Sequence, residues 1–132
     1  MMKKLFLILS LMVISLSWAG QTPSVEVAKS WLGGIDAGQY EQSWDEAGAL
    51  FQEQVTKDQW RDIIKAVRSP LGRVISRAEL GRQNFTSLPG APEGEYLVVQ
   101  FQTEFANKAG AVETLTLSKT NDKWQPVGYF IK

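Results

Sequence analysis

The chain has 132 residues, balances 14 Lys and Arg against 14 Asp and Glu, and contains neither histidine nor cysteine. Without those two residue types there is no Ser-His-Asp or Cys-His nucleophile, no thiol redox chemistry, and none of the usual zinc, copper or haem ligand sets. Balanced charge with no long run of one sign also lacks the basic excess of a nucleic-acid binder.

The chain opens on "MMKKLFLILSLMVISLSWAG". Lys3 and Lys4 form a positive start, Leu5 to Leu16 an apolar run, and Ser17-Trp18-Ala19 supplies small residues at the two positions a signal peptidase reads. This order predicts a secretory leader, residues 1–19, cleaved after Ala19. The apolar run is shorter than the roughly 20 residues of a membrane-spanning helix. No cysteine follows it, so lipid attachment of the bacterial lipoprotein kind is excluded. The expected product, residues 20–132, is soluble and periplasmic, with no stable membrane insertion. It is long enough for a single domain and too short for two. Without disulfides the core alone must hold it.

Thr22-Pro23-Ser24 reads as a helix start. Val25, Ala28, Leu32 and Ile35 then recur at spacings of three and four, widened by Val27 and Trp31. Gly38 should end this helix. A second helix is expected over about 39–52, with Tyr40, Trp44, Ala47, Leu50 and Phe51 on one face. Thr56 and Gln59 form a capping box for a third helix, which should carry Trp60, Ile63, Ile64 and Val67 inward until Pro70 stops it near Ser69. Beyond Gly72 the period becomes two. Four strands are expected, near 73–87, 95–106, 111–119 and 123–131, the last three joined by short turns at Gly110 and Asn121-Asp122. "SLPGAPEGEY", 87–96, is a stiff Pro/Gly-rich loop.

Alternation also sets a register. Leu97, Val99, Phe101 and Phe105 share one face of the second strand, and Leu115 and Leu117 one face of the third. Both sets point inward only if paired residue numbers sum to an even number, which calls for an odd loop, such as three residues ending near Gly110. Glu113 then falls on the core side. Tyr96, Val98, Gln100, Gln102 and Glu104, with Thr114 and Thr116, fall on the outer face.

Helices followed by a meander give an α+β fold: three N-terminal helices packed on one face of a curved four-stranded antiparallel sheet. This order resembles the cystatin-like and nuclear transport factor 2-like superfold. Four motifs narrow the resemblance: "WLGGIDAGQYEQSW" at 31–44, "RSPLGRVISR" at 68–77, "LPGAPEGEYLVV" at 88–99 and "VGYFI" at 127–131. Together they resemble an uncharacterised bacterial exported family, domain-of-unknown-function family 4019. The resemblance implies a Gram-negative envelope context and the fold above, and it supplies no catalytic residue.

The candidate pocket residues are Tyr40, Trp44, Trp60 and Glu113, with Asp36 and Arg77 as candidate rim charges. Asp36 and Tyr40 could form an acid–base pair, but the helical stripe favours Tyr40 and Trp44 as packing wedges. Glu113 is a pocket acid or the ion-pair partner of Arg77. Arg68, Arg73, Arg77 and Arg82 read as solvated charges rather than an anion-binding edge. The expectation is a non-catalytic exported domain that binds a small molecule or an envelope protein, without cofactor or metal. The alternatives are a small-pocket enzyme performing carboxylate-driven proton transfer, in the manner of an isomerase or dehydratase, and a structural subunit of an envelope assembly. A homodimer through the outer sheet face is a further expectation.

Overall fold

Pro23 stands at the first position of α1 (Pro23–Asp36), where its missing N–H would have had no helical partner. In the computed structural model, which describes residues 23–132, this helix buries Val25, Ala28, Trp31, Leu32 and Ile35. The expected leader and its cleavage point lie outside the described residues. Gly38 ends the segment with φ +80° and gives its N–H to the Ile35 carbonyl. Glycine enters that left-handed region without a Cβ clash.

The single helix expected over 39–52 is two helices, α2 (Tyr40–Glu46) and α3 (Ala49–Gln54). The break has a tertiary cause. Ala47 and Gly48 are extended, with ψ near 161° and 164°, because the Gly48 N–H leaves the helix to bond the Pro126 carbonyl at 2.7 Å. Gly48 also lies so close to the sheet that a Cβ there would stand 2.9 Å from Val127 Cγ1. Helix propensity loses to contact with the sheet.

The capping box of α4 (Lys57–Arg68) is present in both directions between Thr56 and Gln59. Its inward residues are Trp60, Ile64 and Arg68, one turn apart. Ile63 and Val67, expected in the core, are instead 51% and 42% exposed. A 3-10 turn over Ser69–Leu71, containing Pro70, leads into the sheet.

Strands β1 (Val74–Phe85), β2 (Glu95–Phe105), β3 (Lys108–Thr120) and β4 (Lys123–Ile131) follow in that spatial order, all antiparallel. Leu97 faces Leu117 and Val99 faces Leu115, the even-sum register. The connection that achieves it differs from the expected three-residue loop. Ala106 and Asn107 form a two-residue turn, and a bulge that sets Ala109 and Gly110 against Glu104 supplies the odd residue. Gly110, at φ +68°, takes the left-handed position within that bulge. The β3–β4 turn places Asn121 and Asp122 at φ 53° and 61°, the paired positive values of a type I′ hairpin.

Register shifts interrupt all three strand pairs and bend the sheet around the helices. Helix α1 rests on β3 and β4, and α3 on β4. Trp31 stacks on Trp60 at 6.1 Å between centroids, Phe51 meets Trp60 edge-on at 4.8 Å, and Tyr129 meets Trp31 edge-on at 5.7 Å. These rings fill the hollow of the sheet. The outer face also departs from its simple reading. Tyr96 is buried there, its hydroxyl bonded to the Pro92 carbonyl of the Pro/Gly-rich loop, and Thr114 and Ser118 are buried as well.

Candidate functional site

Alternation carries Glu113 to the helix side of β3, opposite Phe101, where its side chain is fully enclosed. Arg77, on the same side of β1, faces Thr103 and reaches across it. Glu113 Oε1 accepts from Arg77 Nε at 2.7 Å and from the Thr103 hydroxyl, and Oε2 accepts from the Tyr129 hydroxyl. The far end of Arg77 forks onto Asp36, with Nη1 to Oδ2 at 2.7 Å and Nη2 to Oδ1 at 3.0 Å. Asp36 Oδ1 accepts again from Arg68 Nη2 at 2.6 Å. Asp36 closes α1 and Arg68 closes α4, so the chain of ion pairs ties two helix ends to β1 and β3, and the Thr103 and Tyr129 hydroxyls extend it to β2 and β4.

The network holds two cations and two anions. Taking four charges out of water is costly, and such a cluster persists only with short, charge-assisted bonds on both sides of each ion. Arg68 is the imperfect member. Only 5% exposed, it donates Nη2 alone, while its Nε and Nη1 find no partner among the described residues. Its guanidinium lies 4.9 Å from the Phe105 ring, which offers partial compensation.

The comparison with protein families matches residues 27–129 to a protein of unknown function, and that span includes every member of the network. The chain belongs to the DUF4019 family. No curated protein matches it.

The electrostatics of this DUF4019 domain follow from the network. Burial pushes the Asp36 carboxyl up, but the hydrogen bonds and charges of Arg77 and Arg68 outweigh burial and hold it below its ordinary value of 3.8. Burial alone would weaken the Arg77 charge, yet the bonds to Asp36 and Glu113 hold it more firmly protonated than a free guanidinium. Burial, followed by the neighbouring Glu113 charge, lifts the Tyr129 phenol well above its ordinary 10.0.

The remaining candidates disperse. Tyr40 lines an open surface groove of about 410 Å³ with Gln39, Gln42, Arg61 and Lys65. Trp44 is half-buried, its indole N–H bonded to the Val55 carbonyl at 2.8 Å. Trp60 is buried and donates to Ser43 Oγ at 2.8 Å, while Trp31 donates to the Ser43 carbonyl, also at 2.8 Å. Asp36 gives both oxygens to arginines and none to Tyr40. Arg68 and Arg77 are not the solvated charges of the sequence reading, and Arg82 pairs with Glu79 at 2.7 Å. No group of three or more acids gathers to hold a metal among the described residues.

Four participants escaped the sequence reading. Thr103 continues the inward parity of Leu97, Val99 and Phe101, and Tyr129 faces Leu115 on β4. Arg68 follows Trp60 and Ile64 at helical spacing. Thr103 and Tyr129 were readable by period, whereas for Arg68 its charge outweighed the spacing. Ser43, which serves two indoles, carries no such signal.

Proposed function

We propose that the chain is an exported, non-catalytic domain that binds a small molecule or an envelope protein. The observation that supports this reading is the state of Glu113. Both its oxygens are occupied by Arg77, Thr103 and Tyr129, and the stacked rings of Trp31 and Trp60 fill the space a substrate would need. A general acid or base must reach the proton it moves, directly or through one water. Glu113 is walled off, and Asp36 is committed to two cations, so neither carboxylate is free for the proton-transfer chemistry of an isomerase or dehydratase.

Export rests on residues 1–19. No helix among the described residues is long and apolar enough to cross a membrane. A thermal-shift screen of metabolites tests the small-molecule arm, because a ligand selective for the folded state raises the melting temperature. Retrieval of a defined partner from a periplasmic extract tests the protein arm. Turnover of any compound in the screen that is lost in Glu113→Gln would overturn the non-catalytic reading.

A further inference from the structure

Trp31, Trp44 and Trp60 each spend the indole N–H on a protein acceptor. Trp124 does not. It is half-buried, packed against the core, and it lines a cavity of about 260 Å³ together with Asn84, Phe85, Thr86, Glu95, Tyr96 and Lys119. Every strand contributes: Asn84 ends near β1's last turn of alternation, while Glu95, Lys119 and Trp124 pair in one row across β2, β3 and β4. The six-residue step along β3 from Glu113 to Lys119 places this groove roughly 20 Å from the ion network.

The chemistry of the lining narrows the ligand. Among the described residues, the exposed Asn84 amide and Thr86 hydroxyl, like the Trp124 indole, have no hydrogen-bond partner. Glu95 and Lys119 lie 3.6 Å apart and offset each other, so the groove has no net charge with which to select an ion. The Lys119 ammonium stands 5.9 Å from the Trp124 ring centroid, at the outer limit of a cation–π contact, and a ligand can displace it cheaply. What remains is a lining of three aromatic rings, Phe85, Tyr96 and Trp124, with the Asn84 amide, the Thr86 hydroxyl and the Trp124 indole N–H as donors and acceptors beside them. The volume is below the roughly 300–1,000 Å³ of pockets for drug-sized ligands, so it suits one unit of a longer chain.

We propose that this groove binds one ring of a neutral oligosaccharide. The C–H face of the sugar stacks on Trp124, and its hydroxyls bond Asn84, Thr86 and the Glu95–Lys119 pair. The assignment rests on the binding-domain reading above and names the ligand class.

Nitrogen-15 NMR of the purified protein tests it, because each indole N–H gives its own signal. Titration with chitotriose and with maltotriose should produce a saturable shift of the Trp124 indole with at least one of them, while the Trp31, Trp44 and Trp60 signals stay in place. Trp124→Ala, and independently Asn84→Ala, should weaken binding by roughly tenfold as read from the Lys119 backbone amide, the loss expected for one aromatic contact or one hydrogen bond with its partner stranded. No shift with either sugar, or affinity unchanged from the parent protein in either variant, overturns the proposal. A Trp124 response to choline but not to sugar also overturns it, by showing a cation cage. Sugar failure with stabilisation by some other compound sinks only the ligand class, whereas absence of any stabilising compound and any partner sinks the binding-domain reading.

Discussion

Arg77→Met tests the ion network most severely. Among the described residues, the arginine is the only cation bonded to Glu113 and supplies two of the three bonds to Asp36. Methionine keeps the stem and removes the charge, leaving Glu113 fully enclosed with no cation. Removing one partner of a buried pair costs about 3–5 kcal/mol, a large share of the roughly 5–15 kcal/mol that holds a typical domain together. At a urea slope of about 2 kcal/mol/M, the midpoint should fall by about 2 M. The double variant Arg77→Met/Glu113→Gln should recover at least about 2 kcal/mol of that loss, because the amide removes the stranded charge while its carbonyl still accepts from Thr103 or Tyr129. Urea titrations of the parent, both single variants and the double variant close the cycle. Additivity within about 0.5 kcal/mol would mean that the two side chains do not interact, and the reasoning would fail.

Other outcomes follow from the same geometry. Asp36 has a lowered carboxyl pKa, so its contribution is present above the unfolded carboxylate range and is lost as pH falls below about 4; Asp36→Asn should flatten the acid limb of a stability profile. Tyr129 has a raised pKa, so its contribution is complete below about pH 10 and declines as pH rises beyond it. Tyr129 should therefore resist ionisation in an ultraviolet titration until the protein unfolds, and Tyr129→Phe should reduce the amplitude of the late step by one phenol. Gly48→Ala forces a Cβ against Val127 and should cost about 1–3 kcal/mol, measured by urea unfolding. Arg68→Met removes two unpartnered buried donors along with one bond to Asp36, and should cost far less than Arg77→Met in the same assay.

Period was the most readable quantity in this chain. The apolar stripe of α1, the capping box at Thr56 and Gln59, the Asn121-Asp122 turn and the inward parity of β2 and β3 are local or alternating signals, and each corresponds to a feature of the fold. Features set by distant chain were not readable. The break at Ala47-Gly48 depends on the Pro126 carbonyl, nearly eighty residues away in sequence, and no propensity encodes it. The burial of Tyr96 depends on how the 86–94 loop folds back. Arg68 was misread because a charged residue on an apolar stripe looks like the solvent edge of a helix. Only the positions of Asp36 and Phe105 show why it turns inward. The tryptophans shared the same difficulty. Sequence alone does not distinguish an indole with its N–H spent in the core from one with it free at a groove, and that difference separates Trp60 from Trp124.

Rings from the N-terminal helices occupy the hollow of the sheet and leave no room for a wet acidic pocket beside Glu113. Hydrogen–deuterium exchange of the Trp31 and Trp60 indole N–H groups tests it directly. Exchange of both only through global unfolding, with the protection free energy equal to the unfolding free energy from urea, is the predicted result. Rapid exchange of either indole in the native protein would show solvent in that space and would contradict the account.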